Sequence, residues 1–421
     1  MVNKGEVEPS TQLTTPTTQI ISSHRLFQVA LLLGVLTWSG QLIWRLATIS
    51  GHPPIDFLVY RGGAKSLIGG HAPYMARFTS LHLNFTYPPL ALIGFIALAL
   101  LPMTVAIVSW WLVNSLAIIG VCYLAISSVS SASRTRRIVF AISLAGVSCL
   151  IFEPLRSSVG YGQINFVLML MITFDLLNRS SRLRGIGIGI AAAIKLTPLA
   201  FIPGLSMDRD RRSTARSTIT FVVLSLVSSL IMYSEAKTFW FHQALNPDHK
   251  GGVVDAANQS EYSAIMRIFG VSTSSKLLWA SLAAFTLLIG FLTARSCYGR
   301  GRRLDALVVL ALAELLASPI SWSHHWSWIV LLPILIVLRW THDQWLSLAA
   351  LPVLIVAASF PYHWHYSPWY LHGAERAAMG FTLVIAGLIL FGALAVNEFW
   401  AGANSTSEIP QGKWTPNMSP R

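Results

Sequence analysis

Twelve apolar runs set the pattern of the chain: Leu26 to Ala47, Leu90 to Leu101, Thr104 to Ser127, Ile138 to Phe152, Phe166 to Leu177, Gly185 to Pro203, Ile219 to Tyr233, Leu277 to Ala294, Leu304 to Ala317, Trp328 to Leu338, Leu346 to Ala358 and Ala378 to Val396. A helix that crosses the hydrocarbon needs about 20 mostly apolar residues, and several of these runs are shorter. The pattern predicts an all-α polytopic membrane protein with about ten to twelve transmembrane helices and outward interfacial loops. Leu90 to Leu101 and Gly185 to Pro203 contain or abut proline and are expected to be re-entrant or broken. Residues 1–25, rich in Ser, Thr and Pro, have no apolar core and no small-residue cleavage site, so they read as a disordered cytoplasmic tail rather than a signal peptide. Residues 398–421 read as a second tail, leaving one transmembrane domain over 26–397.

Composition narrows this further. Of 421 residues only 11% are charged and 54% are hydrophobic, against about 25% charged in a soluble domain, which excludes a water-facing globule. The net charge of +13 would suit nucleic acid, but the arginines cluster: Arg134, Arg136 and Arg137; Arg179, Arg182 and Arg184; Arg209, Arg211, Arg212 and Arg216; Arg295, Arg300, Arg302 and Arg303. In a membrane chain such clusters mark cytoplasmic loops, so no nucleic-acid partner is read. Twelve full spans would put the first two clusters outside; two re-entrant segments remove that conflict. Cys122, Cys149 and Cys297 have no metal-ligand spacing and read as packing residues.

The opposite side carries the candidate chemistry. Thr48 to Tyr87, Ser234 to Lys276, Ser318 to Ser327 and Phe360 to Gly373 hold ten of the twelve histidines, which points to a site built from several outward loops. Asp56, just after the first span, suits a general base, because partial desolvation makes a carboxylate a stronger proton acceptor; a solvated loop residue or a helix N-cap is the commoner use of an isolated Asp after Pro-Pro-Ile. An interfacial helix is expected from Phe57 to Leu67, ending at Gly69 and Gly70, with Asp56 and Tyr60 on one face and Arg61 beside them. Tyr87 precedes Pro88 and Pro89 at a helix start. Gln163 and Asn165 either hydrogen-bond a sugar or cap the next helix. Lys195, deep in a Gly/Ala-rich run, needs an anion, and a lipid phosphate would satisfy it. Of His324 and His325, at most one is expected to face a substrate, since neighbours on a helix diverge, and metal binding by the pair is disfavoured for the same reason. Asn258, Glu261 and Arg267 are outward-loop polar residues. The Asp-x-Asp of Asp208 and Asp210 lies in a basic loop far from these groups and is set aside.

In order and spacing, DFLVY at 56–60, GGHAPY at 69–74, YPPL at 87–90, GQINF at 162–166, IKLTP at 194–198, NQS at 258–260 and SPISWSHHW at 318–326 resemble glycosyltransferase family 87, the polyprenyl-phosphate-sugar-dependent enzymes of actinobacteria with the C-type membrane fold. The resemblance implies that Asp56 is the general base and that a lipid-linked donor arrives from the bilayer. It further implies a phosphate site at Lys195, with His324 or His325 contacting the donor phosphate or the acceptor; on chemical grounds Arg61 is a further candidate to stabilise the phosphate. Within the family the likeness is to alpha-1,2-mannosyltransferases that extend phosphatidylinositol mannosides or branch lipomannan, which implies polyprenyl-phosphate mannose as donor and a glycolipid acceptor. Arabinofuranosyltransferases using decaprenyl-phosphate arabinose are the alternative. A polyprenyl phosphate is already a good leaving group, so no cofactor and no nucleotide site are expected and a metal is optional. A transporter would place its charges near the midplane and often show two similar halves; neither pattern is visible.

Overall fold

The computed structural model describes residues 15–407 apart from 49–50, 52, 179–180, 208–209, 245–252, 341–342 and 360–377. Asp208, His249, Lys250 and the outward segment from Phe360 to Gly373 fall mainly or wholly outside the described residues. The described chain is helical, with no named strand. A short helix α1 (Pro16–Ser22), N-capped by the Thr15 hydroxyl, precedes α2 (His24–Thr48). The helical chain therefore starts ten residues inside the expected tail, because Thr15 and Thr18 reach across to Val129 and Ser130 and give these residues polar partners.

The pattern of burial on α2 is inverted relative to a soluble helix. Its buried residues are Ala30, Gly34, Thr37, Gln41 and Arg45, while Leu31, Leu32, Val35, Leu36 and Ile43 are exposed. Between membrane helices apolar side chains gain nothing over lipid, so small and hydrogen-bonding residues line the contact and large apolar ones face outward. Helix α3 (Ile55–Ile68) ends at Gly69, close to the expected bounds. After it come α4 (Pro89–Gly94) and α5 (Ile96–Leu100), then α6 (Met103–Val129), α7 (Arg134–Ile151), α8 (Glu153–Tyr161), which turns 89° from α7, and α9 (Asn165–Leu177). Helices α2 and α7 touch closely. A Cβ at Gly146 would collide with the Thr37 hydroxyl, and Trp38 Nε1 and Gln41 Nε2 donate to Ile142 O and Gly146 O.

The run from Gly185 to Pro203 is broken, as expected. It forms α10 (Ile186–Ile194), a 3-10 turn at Thr197–Phe201, and α11 (Ile202–Ser206). Both of its ends lie at the same level: Arg184 pairs with Asp210 at 3.2 Å, and Arg216 donates to the carbonyls of Arg182 and Arg184. The segment rises to Lys195 and returns, so it is re-entrant. Its foot is held by Asp175 of α9, which accepts from Ile188 N at 2.7 Å. Asp175→Ala is expected to leave that buried N–H without a partner and to lower stability by roughly 1–3 kcal/mol, read as a lower thermal midpoint in detergent.

The remaining helices are α12 (Arg211–Ile231), α13 (Tyr233–Thr238), α14 (Glu261–Phe269), α15 (Thr273–Gly299), α16 (Arg303–Ala317), a 3-10 helix at Ser323–Leu331 continued by α17 (Leu332–Arg339), α18 (Gln344–Ser359) and α19 (Thr382–Ser407). The last runs past residue 397, where a tail was expected. Five helices, α2, α6, α12, α15 and α19, are long and apolar enough to cross a membrane. Bent α7 and α8 taken together would make a sixth, and three shorter apolar helices accompany them: α9, the 3-10 helix with α17, and α18. Among the described residues the full-length spans are fewer than the ten to twelve expected, because several apolar runs form short or broken helices, Leu90 to Leu101 as α4 and α5 among them.

One end gathers the arginines. Arg136 donates to the carbonyls of Ile21 and Ser22, Arg302 pairs with Glu398, Arg339 with Asp305, and Tyr298 Oη reaches Leu176 O. The three cysteines are buried and unbonded to one another, as packing residues.

Candidate functional site

At the other end a cavity of about 960 Å³ opens between α3, the loop before α4, α8, the apex of the re-entrant segment, α16 and the 3-10 helix. Two local features bring its parts together. Gly162 ends α8 in the left-handed region (φ +69°), and a Cβ there would stand 2.9 Å from Phe57 and Pro54. Only glycine both takes that turn without strain and lets α8 press on the start of α3; Trp110 Nε1 locks it by donating to Gly162 O at 2.7 Å. Gln163 follows directly and is thereby set against Asp56. Gly162→Val is accordingly expected to lose both stability and activity, with the thermal midpoint falling by several degrees. The second feature is the 3-10 turn at His324, whose carbonyl accepts from Ser158 Oγ (2.9 Å), Asn165 Nδ2 (3.1 Å) and Ser327 Oγ (2.8 Å).

Asp56 sits in the first turn of α3, where Pro54 is the cap residue, so it does not serve as the N-cap. Its Oδ2 instead accepts from Gln163 Nε2. Gln163 Oε1 accepts from Tyr60 Oη at 3.0 Å and Tyr87 Oη at 3.4 Å, and Gln163 Nε2 lies 3.1 Å from His324 Nε2. Tyr87 and Gln163 border the cavity; Tyr60 lies behind them, stacked on Phe95 at 4.4 Å. Burial pushes the phenols of Tyr60 and Tyr87 well above the ordinary tyrosine range, so both remain O–H donors.

Lys195 forms the opposite wall. Helix α10 stops at Ile194, and Lys195 is extended (φ −145°, ψ 132°), so the lysine ends that helix rather than sitting inside it. Its Nζ donates to Asn165 Oδ1 at 3.1 Å, lies 3.2 Å from His325 Nε2 and stands over the Tyr87 ring. Asn165 does not cap α9; it positions Lys195 and the His324 carbonyl. Both histidines border the cavity, with rings perpendicular and 4.8 Å apart, against the expectation that only one could. The cavity wraps around the first turn of the 3-10 helix, so diverging neighbours meet its Asp56 side and its Lys195 side.

Four expected residues lie elsewhere. Arg61 faces away from the cavity and donates to the carbonyls of Leu98 and Leu101, satisfying the C-terminus of α5. Asn258 is fully buried and bonds to Val253 O, Pro319 O and Ser321 N. Glu261 accepts from Thr286. Arg267 donates to the carbonyls of Asp255, Asn258 and Gly380. These three close the loop between α13 and α15, whose Asp255 and Ala257 border the cavity. The structure also brings in residues that sequence reasoning passed over. Glu314 of α16 is buried in the cavity wall, takes the Thr197 hydroxyl and faces the Lys195 charge. A lone carboxyl inside LALAELL is as costly as a lone ammonium, so the signal was present. Arg77 and His82 border the cavity as well, as does Trp322 of the SPISWSHHW segment.

A bundle of membrane helices with a carboxylate facing a lysine-centred cluster across a large cavity at one end is the arrangement of a membrane-embedded transferase. The chain belongs to glycosyltransferase family 87, whose profile matches residues 85–319; Tyr87, Gln163, Asn165, Lys195 and Glu314 fall inside that range, while Asp56, His324 and His325 flank it. It is 31% identical, over 88% of each chain, to the polyprenol-phosphate-mannose-dependent alpha-(1-2)-phosphatidylinositol pentamannoside mannosyltransferase of Mycobacterium tuberculosis. It is 33% identical, over 74% of each chain, to the polyprenol-phosphate-mannose-dependent alpha-(1-2)-phosphatidylinositol mannoside mannosyltransferase of Mycolicibacterium smegmatis. No solved structure matches it.

Proposed function

We propose that this protein transfers a mannosyl residue from polyprenyl-phosphate mannose to a mannosylated phosphatidylinositol glycolipid, with inversion and formation of an alpha-1,2 linkage. The observation that carries the reading is the opposition of Asp56 to the Lys195, His325 and Asn165 cluster across one cavity. In this mechanism the acceptor hydroxyl gives its proton to Asp56 as its oxygen bonds to the anomeric carbon. The bond from that carbon to the phosphate oxygen breaks, and the electron pair leaves with the polyprenyl phosphate, where Lys195 stabilises the charge. One displacement on a β-linked donor gives an α-linked product. The donor and acceptor names borne by the mycobacterial relatives support the substrate pair.

The arginine-rich end reads as cytoplasmic by the positive-inside rule. The cavity then faces the outside of the plasma membrane, with the lipid-linked donor reaching it from the bilayer. The test is purified protein incubated with radiolabelled polyprenyl-phosphate mannose, or separately arabinose, and a panel of phosphatidylinositol mannosides. Labelled glycolipid with the mannosyl donor is the expected result. Transfer from the arabinosyl donor alone would overturn the sugar assignment.

A further inference from the structure

The hydrogen bonds around Gln163 leave little freedom for its protons. Tyr60 Oη and Tyr87 Oη are 2.9 Å apart and both converge on Gln163 Oε1, and a phenolic O–H pointing at that atom requires it to be the amide oxygen. The NH₂ group must then be on the other side, where it meets Asp56 Oδ2 and His324 Nε2. A ring nitrogen opposed by an amide N–H has to be an acceptor, so His324 is held neutral with its proton on Nδ1. The same logic applies next door: the Lys195 ammonium has only donors, so His325 Nε2 accepts from it.

We infer that Gln163 is the positioning residue of the site, holding Asp56 as an ionised carboxylate at the cavity wall and His324 as a neutral acceptor. The two histidines are then not the cations of the site, and Lys195 carries the charge that meets the leaving phosphate. Other charged or titratable groups face this cluster: Tyr161 of α8, edge-on to His324 at 5.6 Å; Glu153 of α8, whose Oε1 is 3.3 Å from Ser323 Oγ; and Glu314 of α16 beside Lys195. None of them supplies the two N–H donors that Gln163 does. The inference rests on Asp56 acting as the base of the proposed transfer.

Gln163→Glu tests it. Glutamate brings no N–H, so Asp56 and the new carboxyl must share a proton, and a free base returns only at higher pH. The acidic limb of the kcat–pH profile is expected to move up by about one unit or more, with the donor KM within about threefold. Gln163→Met, similar in length but without hydrogen bonds, is expected to lower kcat by about 10- to 100-fold and to move the limb up by less than Gln163→Glu does, since it removes an N–H donor without adding a second carboxyl. Tyr60→Phe guards against a misfolded cavity variant: it removes a hydroxyl behind the cavity wall, loosens the amide and should lower kcat severalfold with KM unchanged. A Gln163→Glu profile that overlays the wild type, or wild-type kcat in Gln163→Met or Tyr60→Phe, overturns the inference. Wild-type protein that transfers no mannose in the same assay instead overturns the proposed function, so the two failures are distinct.

Discussion

Asp56→Asn is expected to lower mannosyl transfer by about 10²- to 10⁴-fold, the usual contribution of a positioned general base, while the protein keeps its yield and thermal midpoint. The asymmetry follows from the hydrogen bonds. Asparagine has the same shape, and its Oδ1 can still accept from Gln163 Nε2, so the contact between α3 and the turn after α8 survives. What disappears is the negative charge that takes a proton from the acceptor hydroxyl. Asp56→Glu keeps the charge but moves it by one methylene, and a misplacement of about 1 Å costs on the order of 10²-fold; it should therefore fall well below wild type yet above Asp56→Asn. Transfer of label by the purified variants measures all three. Activity within tenfold of wild type in Asp56→Asn would remove Asp56 from the role of base.

Much of the fold was legible because the membrane imposes a simple rule on composition: spans are apolar runs, and arginines collect at one end. That rule located the helices and, through the conflict over the first two basic clusters, the re-entrant segment that lifts Lys195 into the cavity. What it could not provide was direction of side chains. Arg61 lies five residues from Asp56 and looked like a neighbour in the site, but an arginine beside an open helix terminus finds carbonyls first. Asn258, Glu261 and Arg267 look the same in sequence whether they meet a substrate or knit a loop, and here the loop's own carbonyls and Thr286 claim them. The histidine pair was judged by divergence on a helix, which says nothing about a cavity that wraps around the turn. Lys195 needs an anion, and the one that faces it comes from Glu314 of α16, far from it in sequence.

That counter-charge shapes what removal of Lys195 should do. Lys195→Met is expected to lower kcat/KM for the donor by about 10²- to 10³-fold, since it deletes a donor aimed at the charge that develops on the leaving phosphate. It should also lower the thermal midpoint by several degrees, because Glu314, buried in the wall with the Thr197 hydroxyl, loses the cation that offsets its carboxyl. Adding Glu314→Gln to Lys195→Met removes that uncompensated group, so the double variant should regain most of the stability and none of the transfer. Glu314→Gln alone leaves the ammonium in place beside Asn165 and His325 and is expected to change donor KM more than kcat, the mark of a residue that acts through Lys195. Thermal unfolding and steady-state transfer on the four proteins complete the cycle. If stability and transfer return together in the double variant, Lys195 serves only to neutralise Glu314, and the cation that meets the phosphate must be sought elsewhere on the cavity wall, with Arg77 the first to examine.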